Sequence, residues 1–167
     1  TAATPDSATS QAAPRPRLAR LKVDHAAIVE NWRFFKKQAP NAAVSAVVKA
    51  DSYGLGAVSA SRALAQAGAR VFFTATFGEA LVVRKALGDG PQIFVLNGPT
   101  ADDVAQFSDA KLTPVLNSLA QIKLWDARGP AGLHIDTGMN RLGLGPEELP
   151  HAMVALKDTS LALVMSH

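Results

Sequence analysis

The sequence contains no cysteine, which excludes disulfide bonds and thiolate metal sites within its 167 residues and is compatible with the cytosol. No apolar run approaches the ~18 residues that a membrane-spanning helix needs. Charge is nearly balanced, with 17 basic and 14 acidic residues and no basic block, so we expect no nucleic-acid partner. A nucleotide-binding G-x-G-x-x-G pattern is also missing. What is present is an ordinary composition, 48% hydrophobic and 19% charged, which is enough for one core.

The first part of the chain differs in composition from the rest. Residues 1–16 are rich in Ala, Ser, Thr and Pro and contain no large aliphatic side chain, which predicts a flexible tail without the apolar core of a signal peptide. We expect the folded part to cover residues 17–167. Alternating charged and apolar side chains predict a half-exposed strand at residues 17–23, and Asp24 is predicted to cap a helix that runs to Gln38.

Beyond residue 40, short apolar segments alternate with helical patterns. The predicted strands are residues 44–48, 71–74, 93–96, 112–115, 132–135 and 161–165. The predicted helices are residues 57–68, 79–87, 102–109, 117–127 (with Asn117 as its cap) and 146–157, the last restarting at Pro150. Strict alternation of this kind indicates a parallel sheet, either doubly wound or closed into a barrel.

A lysine stands directly at the end of the first of these strands. The segment 44–48 has the β-branched, apolar character of a buried parallel strand, and Lys49 follows it. A partly desolvated amine is a nucleophile for aldehydes, the chemistry of a Schiff base with pyridoxal phosphate. Tyr53 begins a turn with two glycines that permit close approach of a ligand, and its hydroxyl can bond a phosphate. The alternative is a lysine that reaches solvent before an ordinary turn.

The sequence Val-Val-Lys-Ala-Asp-Ser-Tyr-Gly-Leu-Gly, at residues 47–56, closely resembles the pyridoxal-phosphate attachment segment of alanine racemases. The resemblance implies that Lys49 carries the cofactor and is one of two catalytic bases. It also implies that Tyr53 contacts the cofactor phosphate. Leu55 departs from the family, which often has histidine at that place in the turn.

A second polar loop follows the predicted strand at residues 132–135. It reads Asp-Thr-Gly-Met-Asn-Arg-Leu-Gly, at residues 136–143. In a parallel barrel the active site lies at the carboxyl ends of the strands. The five-donor fork of Arg141 suits an anionic phenolate or carboxylate. The alternative is a surface arginine that caps a helix or pairs with Glu147.

This loop also resembles the alanine racemases, in which it reads Asp-Thr-Gly-Met-x-Arg-Leu-Gly. The resemblance implies that Arg141 contacts the cofactor phenolate and the substrate carboxylate, and it places Met139 beside the substrate. His134 departs from the family, which often has a lysine there whose carbamate orients the arginine. Histidine forms no such stable carbamate, so His134 would orient Arg141 directly or through an anion.

Two further residues at strand ends match the family. His167 takes the place of a histidine that stacks on the cofactor pyridine ring, and Leu96 takes the place of an apolar residue that lines the pocket. A strand-end histidine is otherwise a common structural hydrogen-bonding residue. No metal site is predicted.

The resemblance covers residues 17–167 and implies a (β/α)8 TIM-type barrel of which about six of eight strands are present. It implies a cytoplasmic, homodimeric alanine racemase that supplies D-alanine for peptidoglycan. A tyrosine from a C-terminal β domain would serve as the second base, across the dimer interface. We therefore expect this chain to be the N-terminal part of a longer enzyme and to be inactive alone. The alternatives are a related decarboxylase, a D-amino-acid lyase, a racemase of broader specificity, a non-catalytic pyridoxal-phosphate-binding protein, or an inactive fragment.

Overall fold

The fold is an open parallel sheet covered by helices, seen in a computed structural model that describes residues 19–167. The predicted tail at residues 1–16 lies outside the described residues. The strands are β1 (Ala46–Val47), β2 (Val71–Thr74), β3 (Gln92–Val95), β4 (Thr113–Leu116), β5 (Ala131–His134) and β6 (Leu161–Met165).

All five pairings in the sheet are parallel, and the strand order is β1-β2-β3-β4-β5-β6. A doubly wound sheet would reverse its order at a switch point, whereas a barrel adds each strand beside the previous one. The six strands therefore form a half-barrel, which confirms the predicted α/β class and the incomplete barrel.

The helices are α1 (His25–Gln38), α2 (Lys49–Tyr53), α3 (Ala57–Gln66), α4 (Phe77–Leu87), α5 (Leu119–Trp125) and α6 (Leu149–Ala155), with 3-10 turns at Val104–Gln106 and Pro146–Glu148. The predicted cap of α1 is confirmed, because the Asp24 carboxylate accepts from the N–H groups of Ala26 and Ala27 at 2.9 and 3.2 Å. The predicted restart at Pro150 is also confirmed, since this proline lies in the first turn of α6.

Three local predictions were wrong. The helix expected at residues 102–109 shrinks to the turn Val104–Gln106, because the Asp103 carboxylate accepts from the Thr100 N–H at 2.8 Å and so favours a turn. The cap of α5 is Ser118 rather than Asn117, with the Ser118 hydroxyl accepting from the Gln121 N–H at 3.2 Å. The strand expected at residues 17–23 is not formed in its described part, 19–23. Among the described residues, β1 pairs only with β2 and has no strand on its other edge.

The core lies between the sheet and the helices. Phe72, Ile93 and Val115 on the strands are fully buried. Phe107 and Trp125 are buried with them and pack edge to face against each other, with ring centroids 5.8 Å apart. In residues 19–167, no helix is long and apolar enough to cross a membrane. The packed sheet leaves the carboxyl ends of its strands free to carry polar side chains.

Candidate active site

A cavity of about 560 Å³ opens at the carboxyl ends of the strands, a size typical of small-molecule sites. Its lining residues come from the ends of β1, β2, β3, β5 and β6. They are Lys49, Ala75, Leu96, Asn97, His134, Arg141, Leu142, Met165 and His167. The fold thus brings together four residues that the sequence singled out, Lys49, Leu96, Arg141 and His167, although they are far apart along the chain.

Two other residues that the family resemblance assigns to the site lie elsewhere. Tyr53 is 64% exposed and lines a separate apolar groove together with Trp32 and Phe35. Met139 is 50% exposed, on the loop that carries Arg141. Neither lines the cavity, so their contacts with cofactor and substrate stay predictions.

The backbone directly after Lys49 forms a left-handed turn. Ala50, Asp51, Ser52 and Tyr53 have φ angles of 51, 52, 54 and 56°, and each left-handed residue of this kind costs roughly 1–2 kcal/mol. This turn explains why β1 ends at Val47 instead of continuing to residue 48 as predicted. Non-glycine residues visit this conformation singly as a rule, so four such residues in a row could not be predicted from residue types.

Local hydrogen bonds hold the left-handed turn together. The Ser52 N–H donates to the Val48 carbonyl at 3.0 Å, and the Gly54 N–H donates to the Ala50 carbonyl at 2.9 Å. The Asp51 carboxylate accepts from the Ala57 N–H at 2.6 Å, at the first residue of α3. The turn is therefore fixed to the helix that follows it, while Lys49 at its start is half-buried in the cavity wall.

His134 has one satisfied and one unsatisfied ring nitrogen. Its Nδ1 lies 2.9 Å from the Asn117 Oδ1. The Asn117 amide nitrogen donates to the carbonyls of Leu96 and Val115, each at 2.9 Å, so Oδ1 is the acceptor and His134 Nδ1 carries the proton. His134 Nε2 is then a buried lone pair, and it has no hydrogen-bond partner among residues 19–167.

The surroundings favour a neutral imidazole. Burial lowers the pKa of His134, and the positive charges of His167 and Arg141 act in the same direction, while Asp136 opposes them. A neutral ring with Nδ1 protonated presents Nε2 as an acceptor only. Such a lone pair, in a cavity that Arg141 also lines, suits a guanidinium N–H donor.

The loop between His134 and Leu144 is closed at its base. The Leu144 N–H donates to the His134 carbonyl at 2.9 Å, and the Asp136 N–H donates to the Leu144 carbonyl at 2.9 Å. A Cβ on Gly143 would lie 2.8 Å from the Asp136 nitrogen, and its φ of 105° also requires glycine. The two arms of the loop can approach this closely only because residue 143 has no side chain.

Asp136 organises the tip of the same loop. Its carboxylate accepts from the Gly138 N–H at 2.8 Å. Hydrogen bonds from the N–H groups of Gly138, Asn140 and Met139 hold the pKa of Asp136 below its usual value. The loop that presents Arg141 to the cavity is therefore preorganised by a charged acceptor.

A second cavity, of about 520 Å³, lies between α3 and α4. Its arginines already serve backbone carbonyls: Arg62 donates to Ala86 at 3.3 Å and Arg70 donates to Ala65 at 2.9 Å. Arg70 precedes β2, so this cavity faces the opposite end of the sheet from Lys49. In the part of the chain that the structure describes, no group of three or more His, Cys, Asp or Glu side chains is placed to hold a metal ion.

Comparison with known proteins places this geometry in a family context. Residues 23–167 match the family model described as "Alanine racemase, N-terminal domain". The alanine racemase of Cereibacter sphaeroides (strain ATCC 17029 / ATH 2.4.9) is 48% identical over 153 residues, which are 89% of this chain and 44% of that protein. The catabolic alanine racemase of Agrobacterium fabrum is 44% identical over 157 residues, which are 88% of this chain and 40% of that protein.

Solved structures give the same result. The alanine racemase of Bartonella henselae, with covalently bound pyridoxal phosphate, matches at a TM-score of 0.82 and 34% identity, over 87% of this chain and 45% of that one. The biosynthetic alanine racemase of Pseudomonas aeruginosa matches at a TM-score of 0.77 and 32% identity, over 87% and 42%. The chain therefore spans somewhat less than half the length of the relatives it matches.

Proposed function

This chain belongs to the family of alanine racemase N-terminal domains, and we propose that in the intact protein it binds pyridoxal phosphate through Lys49 to interconvert L- and D-alanine. The observation that carries the proposal is the convergence of Lys49, Arg141 and His167 on one cavity at the carboxyl ends of the strands. Sequence spacing alone could not bring them together, whereas a parallel half-barrel does so.

The residues of the cavity fit the cofactor. An aldehyde needs a primary amine, and the half-buried Lys49 supplies one. An anionic phenolate needs a cationic donor, and the Arg141 fork supplies it. A flat pyridine ring needs apolar contact, which Leu96, Leu142 and Met165 provide along the walls. In this proposal His167 packs against the ring face.

When bound, pyridoxal phosphate supplies the electron sink that makes the Cα proton of an amino acid removable. Lys49 Nζ would hold the group until the substrate amine displaces it, and the freed Lys49 amine would then take or return that proton on one face of Cα. A group outside the half-barrel, a tyrosine by family resemblance, would serve the opposite face.

Arg141 and His134 act as a pair in this proposal. The guanidinium binds the substrate carboxylate with two parallel N–H donors. The neutral His134 accepts one of the remaining N–H groups at Nε2, and Asn117 fixes the tautomer that leaves this nitrogen free. The carbamylated lysine of many relatives would thus be replaced by a histidine that needs no added anion.

The wider role rests on family membership and the resemblance. We propose a homodimeric, cytoplasmic enzyme whose D-alanine enters peptidoglycan. Tyr53 would contact the cofactor phosphate and Met139 the substrate, each turning from its exposed position.

The test is an assay of the intact protein with added pyridoxal phosphate, in which chiral chromatography follows the conversion of L-alanine to D-alanine. Arg141→Lys replaces a planar fork by a point charge and should lower kcat on the order of 10²-fold. Circular dichroism should show that the fold is kept. The matched control is Arg128→Lys, at an exposed arginine away from the cavity, which should leave kcat unchanged.

Two results would contradict the proposal. Unmodified protein that leaves L-alanine unconverted would refute the racemase activity. If Arg141→Lys and Arg128→Lys have equal kinetics, Arg141 is an ordinary surface arginine with no role in the reaction.

A further inference from the structure

The carboxylate of Glu79 joins the backbone that follows two neighbouring strands. Its Oε1 accepts from the Ala50 N–H at 2.9 Å, and its Oε2 accepts from the Ala75 N–H at 2.8 Å. Ala50 directly follows Lys49, and Ala75 follows β2 and lines the cavity. One side chain therefore fixes the spacing between two walls of the site.

Glu79 is diverted from an ordinary capping role. Thr76 caps α4, with its hydroxyl accepting from the Glu79 N–H at 3.3 Å. In a capping box, the glutamate three residues after the cap bonds the N–H of the cap residue itself. Here it bonds the residue before the cap and a residue 29 positions earlier in the chain. The pattern Thr-x-x-Glu thus anchors a different strand as well as starting a helix.

The anchored residue begins the left-handed turn. Ala50 is the first of the four residues with positive φ, and such a conformation persists only when the surrounding structure over-determines it. The bonds among Val48, Ser52 and Gly54 are local to the turn. The Glu79 bond instead ties its first residue to another element, and it lies one residue from Lys49.

We infer that Glu79 is a positioning residue for Lys49. By holding the Ala50 N–H, it keeps the turn left-handed and so keeps the Lys49 side chain in the cavity. Glu79 itself neither lines the cavity nor touches the cofactor in this inference. The inference rests on the proposed role of Lys49 as the attachment point.

The experiment measures two properties in the intact protein. Amide hydrogen exchange at Ala50 to Tyr53 reports the turn in the absence of cofactor. The rate of pyridoxal phosphate attachment, trapped by borohydride at successive times and mapped by mass spectrometry, reports Lys49.

Glu79→Gln keeps one acceptor but turns an NH2 group toward the second N–H donor. Glu79→Asp keeps the negative charge in the first turn of α4 but is too short to reach both N–H groups. Both variants should exchange the turn amides faster and attach the cofactor about tenfold more slowly or worse, because small misplacements are costly to reaction rates. If Glu79→Gln does not fold, Glu79→Asp alone tests the inference.

The matched control is Glu148→Gln. The Glu148 carboxylate also accepts a backbone N–H at a helix start, from Gly145 at 3.0 Å, but remote from Lys49. It should leave both readouts unchanged. Wild-type exchange or a wild-type attachment rate in both Glu79 variants would overturn the inference while leaving the proposed function intact. Failure of the unmodified protein to form any adduct at Lys49 would overturn the proposed function and the inference with it.

Discussion

At the scale of single residues, the His134–Asn117 pair is the least exposed polar feature of the site. His134 is 6% and Asn117 is 7% exposed, and a buried polar side chain is stable only when its hydrogen bonds are made. Three groups of this pair make hydrogen bonds inside the chain: the Asn117 amide nitrogen, the Asn117 Oδ1 and the His134 Nδ1. The remaining one, His134 Nε2, is therefore the group that is free for Arg141.

We predict that His134 makes stability depend on pH. Its pKa is lowered in the folded state, so the unfolded chain binds the proton more readily. The contribution is complete above the unfolded pKa, about 6.5, and is lost as the pH falls below it, with a slope of up to about 1.4 kcal/mol per pH unit. Urea unfolding between pH 7.5 and 5 should show this loss, and His134→Gln should remove it.

His151→Gln is the control, because His151 is exposed on α6. It should keep the pH dependence of the unmodified protein. An unchanged pH profile in His134→Gln would show that His134 is not held neutral by the fold.

Residues at strand ends were predictable, and the polar residues that bond to the backbone and side chains around them were not. Four of the predicted residues come at or after an apolar segment: Lys49, Leu96, Arg141 and His167. Because parallel strands end at one edge of the sheet, their spacing and the two motifs are enough to predict that they lie together. Asn117 and Glu79 act through contacts 17 and 29 residues away. Nothing local distinguishes such residues from ordinary caps, and both have the sequence signature of a helix start.

At the scale of elements, the site is built from two tight connections rather than from the helices themselves. One is the left-handed turn after β1, and the other is the closed loop after β5. Each connection carries a basic side chain that lines the cavity, Lys49 or Arg141, and is held by backbone hydrogen bonds. Their geometry depends on residues with unusual φ, which makes single substitutions informative.

Gly143→Ala should open the loop after β5. The added Cβ would meet the Asp136 nitrogen at 2.8 Å, and the φ of 105° disfavours any side chain. We expect a loss of about 1–3 kcal/mol in the free energy of unfolding, measured with urea. A rise in KM for alanine should accompany it, because Arg141 loses its support.

Gly90→Ala provides the comparison, since a Cβ there would meet nothing within 4 Å. It should change stability by less than about 0.5 kcal/mol. Equal stability of the two alanine variants would show that the loop has room to relax around residue 143.

Elements with strong apolar character were predicted closely. The bounds of β2 and β6 agree with the prediction, because short apolar runs between turn residues leave little choice of position. The helix at residues 102–109 was wrong because carboxylates near its start bond a turn instead. β1 was predicted one residue too long at its carboxyl end, because a left-handed turn of ordinary residues has no local signal. It was also predicted two residues too long at its amino end, at residues 44 and 45.

At the scale of the whole molecule, strand order is what assembles the site. Each strand lies beside its predecessor, so Lys49 after β1 and His167 after β6 meet across one cavity. The chain covers 44% of the Cereibacter sphaeroides relative. In the proposed reaction the half-barrel would supply one base, Lys49, and the guanidinium of Arg141, and the second base would come from outside residues 19–167.

In our proposal Lys49 is the attachment point of pyridoxal phosphate. Borohydride reduction of the intact protein with pyridoxal phosphate, followed by peptide mapping, identifies the lysine that carries the cofactor. We predict a pyridoxyl adduct on Lys49 and its loss in Lys49→Arg, because only this lysine lines the cavity among the residues described. An adduct on Lys22 or Lys111, with Lys49 unmodified, would contradict the account.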